Sequence, residues 1–110
     1  MPFFSVIIPT YNRATFIAKA IQSVLNQTFS DFELIVVDDA STDNTELIVK
    51  KIEDSRLKYV KNEKNIERCL TRNKGISISK GRYICFLDSD DYHLPHHLQI
   101  LYQEIEKRQF

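Results

Sequence analysis

Carboxylates gather at two places in the sequence. Asp38 and Asp39 form one cluster, and Asp88-Ser89-Asp90-Asp91 forms the other. Hard divalent cations such as Mg²⁺ and Mn²⁺ prefer oxygen ligands. Their usual ligands at such sites are one or two carboxylates and a phosphate of the substrate. Asp88 and Asp90, with one residue between them, are therefore candidate metal ligands. Helix capping is the more ordinary use of such aspartates, and both interpretations stay open for each cluster taken alone.

Two further residue types could take part in such a site. Arg72 carries a guanidinium, which can contact a diphosphate through two parallel hydrogen bonds; its plainer interpretation is a surface charge on a helix. His93 and His97 have the spacing of a helical metal pair, but Pro95 between them is predicted to start a helix, so His93 would precede the first turn. His93 is near enough to Asp90 to be a third ligand, although a surface histidine is the plainer reading.

Alternating strands and helices are predicted to position these groups. Short apolar runs, of which the third is the weakest, predict strands over residues 3–8, 32–37, 57–60 and 83–87. Each run is followed by residues with helical spacing. The predicted helix faces are, in chain order, Ile17, Ala20, Ile21, Val24 and Leu25; Leu47, Ile48 and Ile52; Ile66, Leu70, Asn73 and Ile76, in a helix over 65–79; and Leu98, Leu101, Tyr102 and Ile105. The order βαβαβαβα predicts an α/β fold with a mostly parallel sheet flanked by helices.

Local signals mark the ends of these elements. Pro9 is expected to close the first strand, and Thr10 or Asn12 to cap the helix that follows. Asp43 with Glu46 resembles a capping box. Gly81 is a candidate helix stop.

The carboxyl ends of parallel strands are where such sheets bind ligands. Thr10-Tyr11-Asn12 follows the first strand, and the two acidic clusters follow the second and fourth. If the first and fourth strands are neighbours, all three polar groups line one crevice. Strand alternation would also place Asp88 and Asp90 on the same side.

Composition excludes several classes of protein. Lys plus Arg and Asp plus Glu number 15 each, so nothing favours a nucleic-acid partner. Only two glycines are present, Gly75 and Gly81, which leaves no G-x-G-x-x-G and no Walker loop. The apolar runs are far shorter than the ~20 residues of a membrane span. A phosphoacceptor signalling domain also uses strand-end aspartates with Mg²⁺, but its acidic pair is expected after the first strand, where Thr10 and Tyr11 stand here.

The whole pattern resembles family 2 glycosyltransferases, the inverting group with the GT-A fold. The segments that carry the resemblance are Val6-Ile7-Ile8-Pro9-Thr10-Tyr11-Asn12-Arg13, Gln27 to Asp43, Arg72-Asn73-Lys74-Gly75 and Gly81 to Asp91. They cover nearly the whole chain in the family's order and spacing. One departure lies before the arginine helix, where Asn65-Ile66-Glu67-Arg68-Cys69 lacks the family's usual glycine.

The resemblance implies a nucleotide-diphosphate sugar donor, with a UDP-sugar expected, held through Mn²⁺ or Mg²⁺. It assigns donor binding to Pro9, Thr10, Tyr11, Asp39, Arg72, Asp88 and Ser89, with Asp39 at the base and Arg72 near the diphosphate. It assigns the metal to Asp88 and Asp90, with Asp90 as the direct ligand. The whole chain, residues 1–110, is then one nucleotide-sugar-binding domain with a truncated GT-A fold. It is expected to be the N-terminal portion of a longer glycosyltransferase.

The resemblance also implies the reaction: transfer of the sugar to an acceptor hydroxyl of a glycan or lipid-linked acceptor, in bacterial polysaccharide or cell-surface glycan synthesis. The family's general base comes from the later acceptor-binding half, so no residue here matches it. The alternative is a nucleotide- and metal-binding module without turnover of its own. A cytoplasmic location is expected, at the cytoplasmic face of the membrane in the full-length protein. A homo-oligomer is also expected, because exposed sheet edges can pair with a second copy.

Overall fold

A computed structural model of the protein describes residues 1–108. Its elements are β1 (Phe4–Thr10), α1 (Ile17–Leu25), β2 (Phe32–Asp38), α2 (Thr45–Lys50), β3 (Leu57–Lys61), α3 (Glu67–Ile78), β4 (Tyr83–Phe86) and α4 (His97–Arg108). All strand pairs are parallel, and the sheet order is β3-β2-β1-β4. The predicted α/β architecture is confirmed, and so is the condition that the first and fourth strands be neighbours.

Pro9 lies inside β1 rather than after it, so its predicted role as the end of the strand was wrong. The Ile7 carbonyl accepts the Leu87 N–H at 3.0 Å on the β4 side of β1. The backbone nitrogen of Pro9, two residues further along β1, faces the same side. At that level β4 has already ended, since its C-terminal residue is Phe86. The N–H that proline lacks is therefore not needed there, and β1 continues to pair with β2 through Thr10 and Asp38.

The two faces of the sheet are covered unequally. On one face, Phe4, Val6 and Ile8 pack in a large cluster that receives side chains from α1, α2 and α4. On the other face, Ile7, Ile35 and Val37 form a small cluster that α3 covers. The single helix leaves part of this second face open beside β4.

The helix faces were predicted with mixed success. The α1 face is confirmed, since Ile17, Ala20, Ile21 and Val24 are buried, and Leu98 is likewise buried in α4. The α3 face was wrong. Leu70 and Ile76 are 56% and 41% exposed, and the buried residues are Thr71 and Gly75. In α2 the buried apolar residue is Val49, whereas Leu47 is exposed.

The predicted capping of α1 and α2 was also wrong. Phe16 precedes α1 without a side-chain cap, because Thr10 belongs to β1 and Asn12 bonds to another loop. Asp43 does accept the Thr45 N–H at 3.0 Å, but Glu46 pairs with Lys50 and Lys61 instead of completing a capping box. Gly81 lies beyond α3, whose C-terminal residue is Ile78.

Strand β4 is apolar in sequence yet only half covered. Its burial alternates, and Ile84 and Phe86 are 39% and 43% exposed on the open part of the second face. Within residues 1–108, no helix is long and apolar enough to cross a membrane.

Candidate functional site

A cavity of about 210 Å³ opens at the carboxyl ends of β1, β2 and β4. It is lined by Pro9, Thr10, Tyr11, Arg13, Asp39, Asn65, Glu67, Arg68, Thr71, Asp88, Ser89 and Asp90. Three polar groups that are far apart in sequence therefore meet in one place, as expected from the neighbouring first and fourth strands. Of the predicted donor-binding and metal residues, only Arg72 is absent from the lining, and it contacts Asp88 at the rim.

Asp39 is the most heavily bonded group in the cavity wall. Its Oδ1 accepts hydrogen bonds from Asn62 Nδ2 at 2.9 Å and the Ile66 N–H at 2.7 Å, and its Oδ2 accepts the Glu67 N–H at 3.0 Å. Burial alone would raise the pKa of Asp39, but these hydrogen bonds, with a contribution from Thr71, outweigh it and lower the pKa. Asp39 is thus a carboxylate that fixes the chain leading into α3.

A second set of bonds fixes the loop after β1. Asn12 has a φ of 51°, a left-handed conformation that asparagine tolerates. Its Oδ1 accepts the Thr42 N–H at 2.7 Å, and its own N–H donates to Ser41 Oγ at 2.8 Å. Ser41 Oγ in turn donates to Asp38 Oδ1 at 2.5 Å. The loops after β1 and β2 are therefore held together, which sets Tyr11 and Asp39 on the same cavity.

Asp88 and Asp90 lie after β4, not within it. The strand ends at Phe86, and the Asp91 N–H donates to the Asp88 carbonyl at 3.0 Å, which closes a turn. Strand alternation was therefore the wrong reason for placing the two carboxylates together. The turn brings both to the cavity instead.

Arg72 approaches this acidic turn from α3. Its Nη2 lies 3.2 Å from Asp88 Oδ1, and its guanidinium carbon lies 5.5 Å from the centre of the Phe86 ring. The Nε atom is buried and has no hydrogen-bond partner among the described residues. A guanidinium beside a carboxylate turn is suited to an anion held together with a cation.

His93 does not join the acidic turn as a metal ligand. Its ring stacks on His97 with 4.2 Å between centroids. Burial and the neighbouring His97 lower the pKa of His93 to about 4, against a smaller opposing effect of Asp91. Residues 1–108 contain no group of three His, Cys, Asp or Glu side chains that could hold a metal ion.

Gln27 holds the chain that leaves the acidic turn, a role that no pattern in the sequence indicates. The side chain is 6% exposed. Its Nε2 donates to the Leu94 carbonyl at 2.6 Å and the Ser23 carbonyl at 2.9 Å, and its Oε1 accepts the Leu98 N–H at 2.9 Å. Gln27 therefore ties the end of α1 to the start of α4.

Sequence reasoning also missed five residues of the cavity lining: Arg13, Asn65, Glu67, Arg68 and Thr71. Four of them belong to residues 65–71, which the sequence predicts only as a loop and a helix start. The bonds from Ile66 and Glu67 to Asp39 place this segment at the cavity, and no pattern in the sequence indicates them.

Comparison with known proteins places the chain among glycosyltransferases. The family model described as Glycosyl transferase family 2 matches residues 5–110. The chain is 43% identical over 109 residues to the UDP-Glc:alpha-D-GlcNAc-diphosphoundecaprenol beta-1,3-glucosyltransferase WfaP of Escherichia coli, an alignment that covers 97% of the chain and 43% of WfaP. The chain thus spans less than half of that relative. Its relatives include glycosyltransferases of bacterial polysaccharide synthesis.

Solved structures show the same fold. Residues 1-349 of S. aureus TarS in complex with UDP-GlcNAc superimpose with a TM-score of 0.92 at 36% identity, covering 97% of the chain and 32% of the TarS 1-349 chain. The mannosyltransferase PcManGT of Pyrobaculum calidifontis, in complex with GDP-Man and Mn²⁺, gives a TM-score of 0.78 at 28% identity, covering 83% and 28%. The four-stranded sheet with its helices is therefore a GT-A fold.

Proposed function

Because the chain belongs to glycosyl transferase family 2, we propose that it binds a nucleotide-diphosphate sugar, as the donor-binding part of a glycosyltransferase. The observation that carries the proposal is the convergence of Thr10, Asp39 and Asp90 on one cavity from three different strands. The complex of TarS with UDP-GlcNAc, at 36% identity, supports a UDP-sugar as the donor.

The strand order suggests how the donor is arranged. Asp39 follows β2 and Asp88 and Asp90 follow β4, on opposite sides of β1. We assign the nucleoside to the β2 end, beside Pro9, Thr10, Tyr11 and Asp39, and the diphosphate to the β4 end, beside Arg72, Asp88 and Ser89. Thr10 is 3% exposed, and its hydroxyl has no hydrogen-bond partner in the described part of the chain. A buried polar group of this kind is costly unless something pairs with it.

The acidic turn fits a hard divalent cation. Asp88 and Asp90 offer carboxylate oxygens, and the Asp88 side chain is 49% exposed and so accessible. Two carboxylates leave the remaining coordination positions to phosphate and water, which is how Mg²⁺ is commonly held at phosphate sites. Mn²⁺ or Mg²⁺ bound there would neutralise negative charge on the departing diphosphate.

The proposed reaction is transfer with inversion. An acceptor hydroxyl attacks the anomeric carbon, its proton passes to a base in the acceptor-binding half, and the bond from that carbon to the diphosphate oxygen breaks. Arg72 stabilises the charge on the leaving diphosphate, and the cavity walls hold the donor in one orientation. The name of WfaP describes a diphosphoundecaprenol acceptor, which supports a lipid-linked glycan acceptor.

Calorimetric titration with UDP tests the proposal. We expect binding that is much tighter with Mn²⁺ than without it, and a loss of about tenfold or more in Mn²⁺-dependent affinity in Asp90→Asn, because disturbing even the outer partners of a metal ligand costs that much. Asp31→Asn is the matched control, since Asp31 is exposed and outside the cavity. Equal UDP affinity with and without Mn²⁺ would count against the proposal.

A second candidate is a nucleotide- and metal-binding module without turnover. The chain covers only 43% of WfaP, and none of its residues matches the family's general base. Both candidates predict the same UDP binding. Transfer of sugar from a UDP-sugar to an added acceptor by this chain alone would exclude the second.

A further inference from the structure

Glu67 has a backbone conformation that its residue type disfavours. Its φ is 75°, in the left-handed region, where a β-carbon crowds the backbone. Two other non-glycine residues share this feature, Asn12 and Ala40. Strained residues of this kind persist when the surrounding structure holds them in place, and they are concentrated at functional sites.

Asp39 holds Glu67 in this conformation. The Glu67 N–H donates to Asp39 Oδ2 and the preceding Ile66 N–H donates to Oδ1. Glu67 is one of the residues that line the cavity, and its side chain forms no hydrogen bond or ion pair with any described residue. A glycine would satisfy the same backbone bonds without strain, so the bonds explain the conformation but not the choice of glutamate.

We propose that Glu67 is a donor-binding residue whose carboxylate accepts a hydrogen bond from the nucleoside of the donor. This inference rests on the proposed function. A carboxylate at neutral pH can only accept, and a nucleoside offers ribose hydroxyls and base N–H groups as donors. The fixed backbone presents the acceptor before the ligand arrives, which lowers the entropic cost of binding.

The position of Glu67 favours the nucleoside over the diphosphate. Glu67 is bonded directly to Asp39 at the β2 end of the cavity, whereas Asp88 and Asp90 follow β4 beyond β1. A carboxylate near the diphosphate would repel it, while near the nucleoside it meets groups that can donate.

An alternative explanation of Glu67 is its place in the first turn of α3, where a negative charge interacts favourably with the helix dipole. That role would affect the stability of the fold and leave nucleotide affinity unchanged. The two explanations therefore predict different measurements.

The test compares Glu67→Gln and Glu67→Gly with the unchanged protein, by calorimetry with UDP, GDP and inorganic pyrophosphate in the presence of Mn²⁺. We expect Glu67→Gly to bind UDP and GDP about tenfold more weakly, as for loss of a hydrogen bond to a charged group. Glu67→Gln should be weakened less, because its amide oxygen still accepts but carries no charge, and neither variant should bind pyrophosphate more weakly. Glu67→Gly should also unfold at a higher temperature than Glu67→Gln because it relieves the strained φ.

Ala40→Gly is the matched control. The substitution relieves backbone strain at Ala40, which has a left-handed φ like Glu67. Because Ala40 does not line the cavity, the variant should bind nucleotides as tightly as the unchanged protein. Undiminished UDP and GDP binding by both Glu67 variants, or an equal loss of pyrophosphate binding, would overturn the inference while leaving the proposed function standing. Absence of nucleotide binding by the unchanged protein would overturn both.

Discussion

Single carboxylates in this chain have different surroundings and therefore different uses. Asp39 is 4% exposed and accepts three hydrogen bonds from the described residues, two on Oδ1 and one on Oδ2. Asp88 is half exposed and forms one ion pair among the described residues, with Arg72. Asp39 shapes the loop before α3. Asp88 is open to solvent and to a cation.

Glu33 is a buried carboxylate far from the cavity, and it makes stability depend on pH. It accepts bonds from Lys58 Nζ at 2.7 Å, Ser5 Oγ at 2.5 Å and the Lys80 N–H at 2.5 Å. Burial raises the pKa of Glu33, but these bonds together lower it below its ordinary value of 4.5. A carboxyl whose folded pKa is depressed stabilises the protein above its unfolded pKa, and the benefit is lost as pH falls through the folded pKa.

We therefore predict that Glu33→Gln lowers the free energy of unfolding by about 1–3 kcal/mol at pH 7. The variant should also lose less stability than the unchanged protein as pH is lowered from about 5 toward 3. Urea unfolding at several pH values measures both effects. Glu63→Gln, at an exposed position, should follow the unchanged protein, and an equally steep acid loss in Glu33→Gln would contradict the account.

Among the elements, α3 packs tightly on the sheet at one glycine. A β-carbon at Gly75 would lie 2.6 Å from Ile7 Cγ2 and 3.3 Å from Val37 Cγ2. Ile7 and Val37 are fully buried, so neither can move away easily. The close approach lets α3 present Thr71 and Arg72 at the cavity.

Gly75→Ala should destabilise the fold by about 1–3 kcal/mol through overpacking, although alanine is the better helix former. Thermal unfolding measures the change, and weaker UDP binding should accompany it because α3 is displaced. Ser77→Ala on the exposed side of the same helix is the control and should not destabilise by this mechanism. Stabilisation by Gly75→Ala would show that α3 is not held against Ile7 as described.

The elements also show which local patterns could be read from the sequence. Helix α1 packs in the large cluster, so its 3.6-residue apolar pattern predicted Ile17 to Val24 correctly. Helix α3 meets the sheet along Thr71 and Gly75, which are small rather than apolar, so the same rule chose the wrong face. Asn12 was misread as a cap because its partners, Thr42 and Asp43, lie about thirty residues away.

In the whole molecule, the cavity was predictable because it follows from topology. Alternating strands and helices force a parallel sheet, and parallel strands bring their carboxyl ends to one edge. The part of the lining that comes from residues 65–71 could not be predicted, since it depends on how Asp39 bonds to Ile66 and Glu67 across more than 25 residues. Hydrogen bonds of this range leave no periodic signal in the sequence.

Anomalous diffraction from crystals grown with UDP and Mn²⁺ tests the central claim most directly. The account predicts a manganese peak in contact with the Asp90 carboxylate and the diphosphate, with uracil beside Asp39 across β1. A manganese ion bound elsewhere, or a nucleotide that leaves Asp39 and Asp90 without contact, would contradict it.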